Sequence, residues 1–311
     1  MSKLFDAVII GGVNCDIAGK SFESIVSATS NPGTVKITSG GVSGNIAQNL
    51  TQLGIKTAIL SSIGKDGFGE LLIKDLNDKG IDTSHIAISK KYSTGIYLAI
   101  LSNDGELVLG LSGMEVIRDV NIDYLKEKCN ILTNTKYIVC DTNIEKEALL
   151  FLIKLARQNC IPICVEPVSV SKSKKLLGLL DGIDIITPNK DELFSLSGLD
   201  PDNNDIKSAS SILLDEGVKN IILTLGSEGL CLINAQGTKK FPAFKTEIKN
   251  VTGAGDALTA GLLFGLLRHE SIETACNYGL AAAALTLSSE NTVNNFLSRE
   301  TLLELVAKSA I

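Results

Sequence analysis

Histidine is nearly absent: the 311-residue chain has two, His85 and His269. That is too few for a His-rich metal site, and it argues against a serine–histidine–aspartate hydrolase. Long apolar runs are missing as well. None approaches the ~18 uncharged residues that a membrane-spanning helix needs. The N-terminus enters a strand-like apolar stretch at 7–10 with no basic leader or small-residue cleavage site. There is no basic run, and 29 basic residues stand against 35 acidic ones for a net charge of −6. Such a balance does not suit a nucleic-acid backbone, which needs clustered Lys and Arg. A small anion is still compatible, because helix N-termini and loop amides supply local positive potential. The expectation is a soluble, cytoplasmic protein with neither nucleic acid nor membrane as partner. Seven scattered cysteines, an odd number, fit reduced thiols. The nearest pair, Cys160 and Cys164, brackets a strand entrance and reads as buried filler.

What is present is a large core. Apolar residues make up 44% of the chain and charged residues 21%, a globular composition. From about residue 137 the pattern alternates as in a parallel α/β sheet. Strands are expected over 136–140, 162–165, 183–186 and 220–225, and helices over 145–158, 172–180, from about 191, and over 206–216. Strands at 229–233 and 239–244 are joined through Asn234-Ala235-Gln236-Gly237, and helices follow over 255–268, 272–288 and from 301. The first 110 residues differ. Core strands are expected at 7–10 and 57–63, a solvent-flanked strand at 34–38, and a hairpin over 94–111 that turns at Ser102-Asn103-Asp104-Gly105. Ile96, Leu98 and Ile100 give that hairpin one apolar face, which needs a cover. We read these segments as a small antiparallel sheet set as a lid on a larger α/β domain.

The chemistry-bearing signals are glycine-rich turns before helices. In Thr252-Gly253-Ala254-Gly255-Asp256 two glycines allow a tight turn that exposes successive amides at a positive helix end. Asp256 stands in the first helical turn. A carboxylate beside an anion hole makes sense if a substrate hydroxyl must lose a proton while negative charge builds next to it. An ordinary glycine loop with an N-terminal helix acid is the alternative. A dinucleotide fingerprint is excluded because Leu258 holds the third glycine position, and a P-loop because Asn14 stands where its first glycine belongs. Gly40-Gly41-Val42-Ser43-Gly44-Asn45 opens a second helix in the same way. Asn14 and Asp16 directly follow the first strand, where Asp16 can accept two sugar hydroxyl protons or merely cap a loop. Asn189 and Glu192 lie three apart at a helix start, which equally fits a capping box. Thr224-Leu225-Gly226-Ser227-Glu228-Gly229 is a strand running into a glycine turn, or a plain β-turn.

Taken together and in this order, these motifs resemble the ribokinase/PfkB family of sugar and nucleoside kinases, from Gly11 to about Ser288. The resemblance implies a ribokinase-like α/β fold: a central, mainly parallel sheet flanked by helices with a small antiparallel β lid. It implies one domain over 1–311, with lid strands within about 15–40 and 86–112. It also implies ATP and Mg2+. Asp256 would be the general base, and the amides of Gly253, Ala254 and Gly255 would hold the transferring phosphoryl group. Glu192 and Asn189 would position magnesium through water. Thr224, Gly226 and Gly229 would line the ATP site, with Asn277 and Ala281 near the adenine and Lys172 on a phosphate. Asn14, Asp16, Gly41 and Asn45 would grip the sugar. Within the family, Ser30-Asn31-Pro32-Gly33 and Glu166-Pro167-Val168-Ser169-x-x-Lys172 are most similar to the bacterial pseudouridine kinases, which implies 5′-phosphorylation of pseudouridine. Many members carry Asp-Thr where this chain has Asn250-Val251, which leaves a monovalent cation open. Val42 stands where ribokinases proper carry a lysine, which counts against free ribose. A same-family kinase for another nucleoside or sugar, and a non-catalytic binder of nucleoside or ATP, are the competing readings. The lid's apolar faces lead us to expect a homodimer through the lid.

Overall fold

The computed structural model describes residues 3–308. In chain order the first half holds β1 (Phe5–Ile10), β2 (Asn14–Ser21), β3 (Gly33–Gly40), α1 (Val42–Gln52), β4 (Thr57–Leu60), β5 (Ser62–Gly64), α2 (Gly67–Asp78), β6 (Ala87–Ser89), β7 (Ile96–Leu101), β8 (Leu107–Gly113), α3 (Ile122–Glu127) and α4 (Cys129–Thr133). The second half holds β9 (Thr135–Asp141), α5 (Lys146–Gln158), β10 (Ile163–Glu166), α6 (Val170–Ser173), β11 (Ile185–Ile186), α7 (Lys190–Ser197), α8 (Ile206–Asp215), β12 (Asn220–Thr224), β13 (Leu230–Asn234), β14 (Gly237–Phe241), α9 (Ala254–Leu267), α10 (Ile272–Leu287) and α11 (Arg299–Lys308).

Eight strands form one sheet in the order β14-β13-β12-β11-β10-β9-β1-β4. Only β13 and β14 run antiparallel to their neighbours. Its central strands are apolar at successive residues because both faces are covered. On β1, Val8 and Ile10 point into one core and Ala7 and Ile9 into the other. Helices α5, α7 and α8 complete the first core, and α1, α2, α9 and α10 the second. The result is three layers, helix on sheet on helix. A second sheet, β3-β2-β7-β8, stands apart. Its hairpin pairs are antiparallel, while β2 and β7 run parallel.

Several expectations need correction. The strand expected over 57–63 breaks at Ser61: β4 joins β1, while β5 pairs with β6 in a two-stranded sheet. Ser61 Oγ donates instead to the carbonyl of Gly11 at 2.6 Å. Residues 87–89 therefore do not belong to the small sheet. The helix expected over 172–180 is two short turns, α6 and a 3-10 turn at Lys174–Leu176. Asn14 and Asp16 are not in a loop: they open β2, whose Gly, Lys, Ser and Asp hide its strand character. Pairing on both sides overrides that propensity. Cys160 is exposed, in the left-handed region at φ 52°, rather than buried.

Candidate active site

The parallel strands end along one edge in Asp141, Glu166, Ile186 (followed by Thr187) and Thr224, the edge at which open α/β sheets bind ligands. Gly253 caps α9 at φ 82°. A Cβ there would stand 2.1 Å from the Thr292 carbonyl oxygen, so only glycine fits. At Gly255 an added Cβ would meet nothing within 4 Å. The first amides of α9 lack intrahelical partners, and Gly255 among them borders open space. Gly41 caps α1 at φ 93°, where a Cβ would fall 2.4 Å from the carbonyl of Gly12. This places Asn45 in the first turn of α1, and its Nδ2 donates to Asp256 Oδ2 at 2.7 Å. The two glycine motifs, far apart in sequence, meet in that hydrogen bond. Burial pushes the Asp256 carboxyl up to about 7; Asn45 opposes the shift, and the carboxylates of Asp141 and Asp16 add to it.

Asn14 Nδ2 donates to Asp16 Oδ1 at 2.6 Å. Burial raises the Asp16 carboxyl against that bond. Asp141, which the sequence reading missed, is fully buried. Its Oδ2 accepts from the amides of Gly12 (2.9 Å) and Ser43 (3.2 Å) and from Ser43 Oγ (2.7 Å), and its Oδ1 from the Asn143 amide (2.8 Å). One carboxylate therefore ties the end of β1 to the start of α1. Its place directly after the strand expected over 136–140 was the available signal.

A cavity of about 490 Å³ runs between the turn after β12 and the face of α10, lined by Thr224, Gly226, Gly229, Phe244, Gly255, Leu280 and Leu287 among others. That is within the range of small-molecule sites. Asn277 and Ala281 are not in its wall. Ala281 is turned away and packs with Leu53, Phe264 and Leu297; Leu280, Ala283, Ala284 and Leu287 form the facing stripe instead. Lys172 is also absent from this wall: its Nζ donates to Asn143 Oδ1 at 2.6 Å. Burial lowers the Lys172 ammonium, with the charge of Asp141 opposing.

A second cavity of about 200 Å³ shares Thr224 and Gly255 with the first and is walled by Asp256, Glu166, Glu192, Asn189 and Val168. Asn189 and Glu192 form a capping box, each side chain accepting from the other's amide at 2.9 Å. Burial raises the Glu192 carboxyl, with Asp191's charge adding to the effect. Glu166, unassigned by the sequence reading, accepts from Thr187 Oγ1 and, at 3.3 Å, from Thr259 Oγ1. Burial lifts it to about 8, against the Thr187 bond and with help from Asp256 and Glu192. Beside it Val168 has φ 67°, and the Ser169 amide closes a three-residue turn onto the Pro167 carbonyl at 2.7 Å. A β-branched residue is rarely found there, and such strain gathers at working sites. The donors facing this cavity are oxygens, the kind magnesium takes. Among the described residues no three His, Cys, Asp or Glu side chains converge as a metal cage. Carboxylate and carboxamide side chains at a cavity with room for water suit a hard ion that keeps part of its hydration shell.

The profile described as pfkB family carbohydrate kinase matches residues 5–299. The chain is 34% identical over 301 residues to a pseudouridine kinase from Escherichia coli (strain K12), covering 96% of each. A putative sugar kinase from Clostridium perfringens superposes with a TM-score of 0.84 at 30% identity, over 97% of this chain and 95% of that one. A putative ribokinase II from E. coli, solved with ATP and Mg2+, shares the fold with a TM-score of 0.84 at 19% identity, over 99% and 100%. The chain belongs to the pfkB family of carbohydrate kinases and is a phosphotransferase acting on a sugar or nucleoside.

Proposed function

We propose that this kinase transfers the γ-phosphoryl group of ATP to the 5′-hydroxyl of pseudouridine, giving pseudouridine 5′-phosphate and ADP. The observation that carries the chemistry is the 2.7 Å bond from Asn45 to Asp256. It sets a carboxylate with a near-neutral pKa at the mouth of a helix N-terminus. In this reading Asp256 takes the hydroxyl proton as the oxygen bonds to phosphorus and the bond to ADP breaks. The amides of Gly253, Ala254 and Gly255 hold the charge that develops on the phosphoryl oxygens. Asn14, Asp16, Gly41 and Asn45 orient the sugar. Thr224, Gly226 and Gly229 line the place for ATP. Glu192 and Asn189 would hold magnesium through water; the ion would neutralise phosphate charge. The E. coli protein of the same fold was solved with ATP and Mg2+ together.

The substrate assignment is supported by the similarity to the E. coli pseudouridine kinase and by Val42 in place of the ribokinase lysine. The reading treats 1–311 as one ribokinase-like domain with the small sheet as its lid, in the cytoplasm, in keeping with seven unpaired thiols. The test is ATP-coupled turnover with magnesium on pseudouridine, uridine and ribose at equal concentration. A strong pseudouridine preference is expected. Preference for uridine or ribose overturns the substrate, and no turnover on any of the three overturns the assigned reaction.

A further inference from the structure

Asn143 is held more firmly than a loop side chain needs to be. It is only 7% exposed. Its amide donates to Asp141, and its carbonyl accepts from Lys175 Nζ at 3.1 Å. Its side-chain oxygen accepts from Lys172 Nζ at 2.6 Å. An ammonium has donors and no lone pair, so the carboxamide oxygen must face Lys172 and the NH2 group must face away. A methyl placed on Gly12 would lie 2.8 Å from that nitrogen and 3.4 Å from Met114 Cε. Near Gly95 the same Met114 side chain runs alongside Asn14. The Asn143 NH2 group donates to nothing among the described residues. An orientation-locked pair of donors, unpaired and not sealed from solvent, thus sits across a polarisable thioether from Asn14 on the sugar-gripping side.

We infer that Asn143, locked by Lys172, reads a carbonyl oxygen on the base of the substrate, with Met114 as the apolar surface against the ring. This rests on the nucleoside-kinase reading above and deepens it. A hydroxyl is both donor and acceptor, and Asp16 offers the lone pairs that sugar hydroxyls need. Beside Asn143 the oxygen is already taken, so only donors are offered. That face suits a group that accepts without donating, such as the carbonyl of a pyrimidine ring, and thioether sulfur suits an aromatic neighbour. Lys172 would then act as a positioning residue for the base.

The test compares kcat/KM for pseudouridine, uridine and ribose in the wild type, Asn143→Ala and Lys172→Met. The ratio of either nucleoside to ribose is expected to fall roughly 10–100-fold in Asn143→Ala, chiefly through KM, as for removal of a buried hydrogen-bonding partner. In Lys172→Met, which frees the amide to flip, a smaller fall in the same ratio is expected. Equal losses on nucleosides and ribose in both variants would falsify base reading. Should Asn143→Ala fold poorly, calorimetric titration of Asn143→Asp decides: nucleoside affinity is expected to drop while ATP affinity holds. Retained nucleoside affinity overturns the inference. A wild type that turns over no nucleoside overturns the underlying function instead, a distinct result.

Discussion

To act as the proposed base Asp256 must be ionised, yet its surroundings disfavour charge. Its carboxyl is raised from 3.8 to about 7, so the folded protein holds this proton longer than the unfolded chain does. Its contribution to stability is therefore greatest in acid, falls as pH rises between about 4 and 7, and is level above. Glu166, raised from 4.5 to about 8, has the same sign over a window reaching further up. In the Asp256→Asn variant turnover is expected to fall by roughly 10²–10⁴-fold with ATP binding kept. Its thermal midpoint should exceed that of the wild type at pH 8, with the gap closing towards pH 4. Wild-type-like turnover would remove Asp256 from the role of base, and a midpoint gap independent of pH would show that its carboxyl is not raised. For the wild type, kcat/KM is expected to rise with pH through about 7, and a flat profile between pH 6 and 8 would contradict this.

At the scale of elements, the turn before α9 is the most constrained piece of backbone near the site. Gly253→Ala adds a methyl 2.1 Å from the Thr292 carbonyl and holds alanine at φ 82°. The expected result is a loss of turnover exceeding any loss in Gly255→Ala, whose methyl meets open space. Equal losses would show that the turn tolerates movement. This turn was legible in the sequence because glycines and an acid at a helix start have few structural uses. The parallel sheet was legible too, from apolar runs such as 220–225 that match burial on both faces. Other parts were hidden for physical reasons. β2 carries few strand-favouring residues and owes its form to β3 and β7 on either side. The break at Ser61 is marked only by the pair Ser61-Ser62, which a buried strand can also carry, so the change of partner is not readable from it. Asp141 and Asn143 gain meaning only when the Gly12 turn and Lys172 come to lie against them, a long-range fact that spacing cannot carry. For Ala281 the helix was foreseen but its rotation was not, and one residue of phase separates Leu280 in the cavity wall from Ala281 in the core.

At the scale of the whole molecule, the small sheet is the exposed apolar part. On β8, Leu107, Val108, Leu109 and Leu111 are each more than half exposed, so both faces of this edge strand are bare. Val35 on β3 is 71% exposed. Edges of this kind invite pairing, and we propose a second copy of the chain as the cover. Light scattering at micromolar concentration is expected to give the dimer mass for the wild type and the monomer mass for Leu109→Glu. A monomeric wild type would count against the proposal. No helix among the described residues is long and apolar enough to cross a membrane. The placing of the sulfur atoms has a practical consequence. Cys15, Cys140, Cys164, Cys231 and Cys276 are buried in the layers of the fold, and Cys129 is half-covered, leaving Cys160 open to solvent. Burial also holds the thiols of Cys140 and Cys164 well above the ordinary range, so they carry almost no thiolate. An alkylating reagent thus finds one ready target on the intact protein and gains the interior ones only when the layers part, which makes the chain's own sulfurs a clock for its opening.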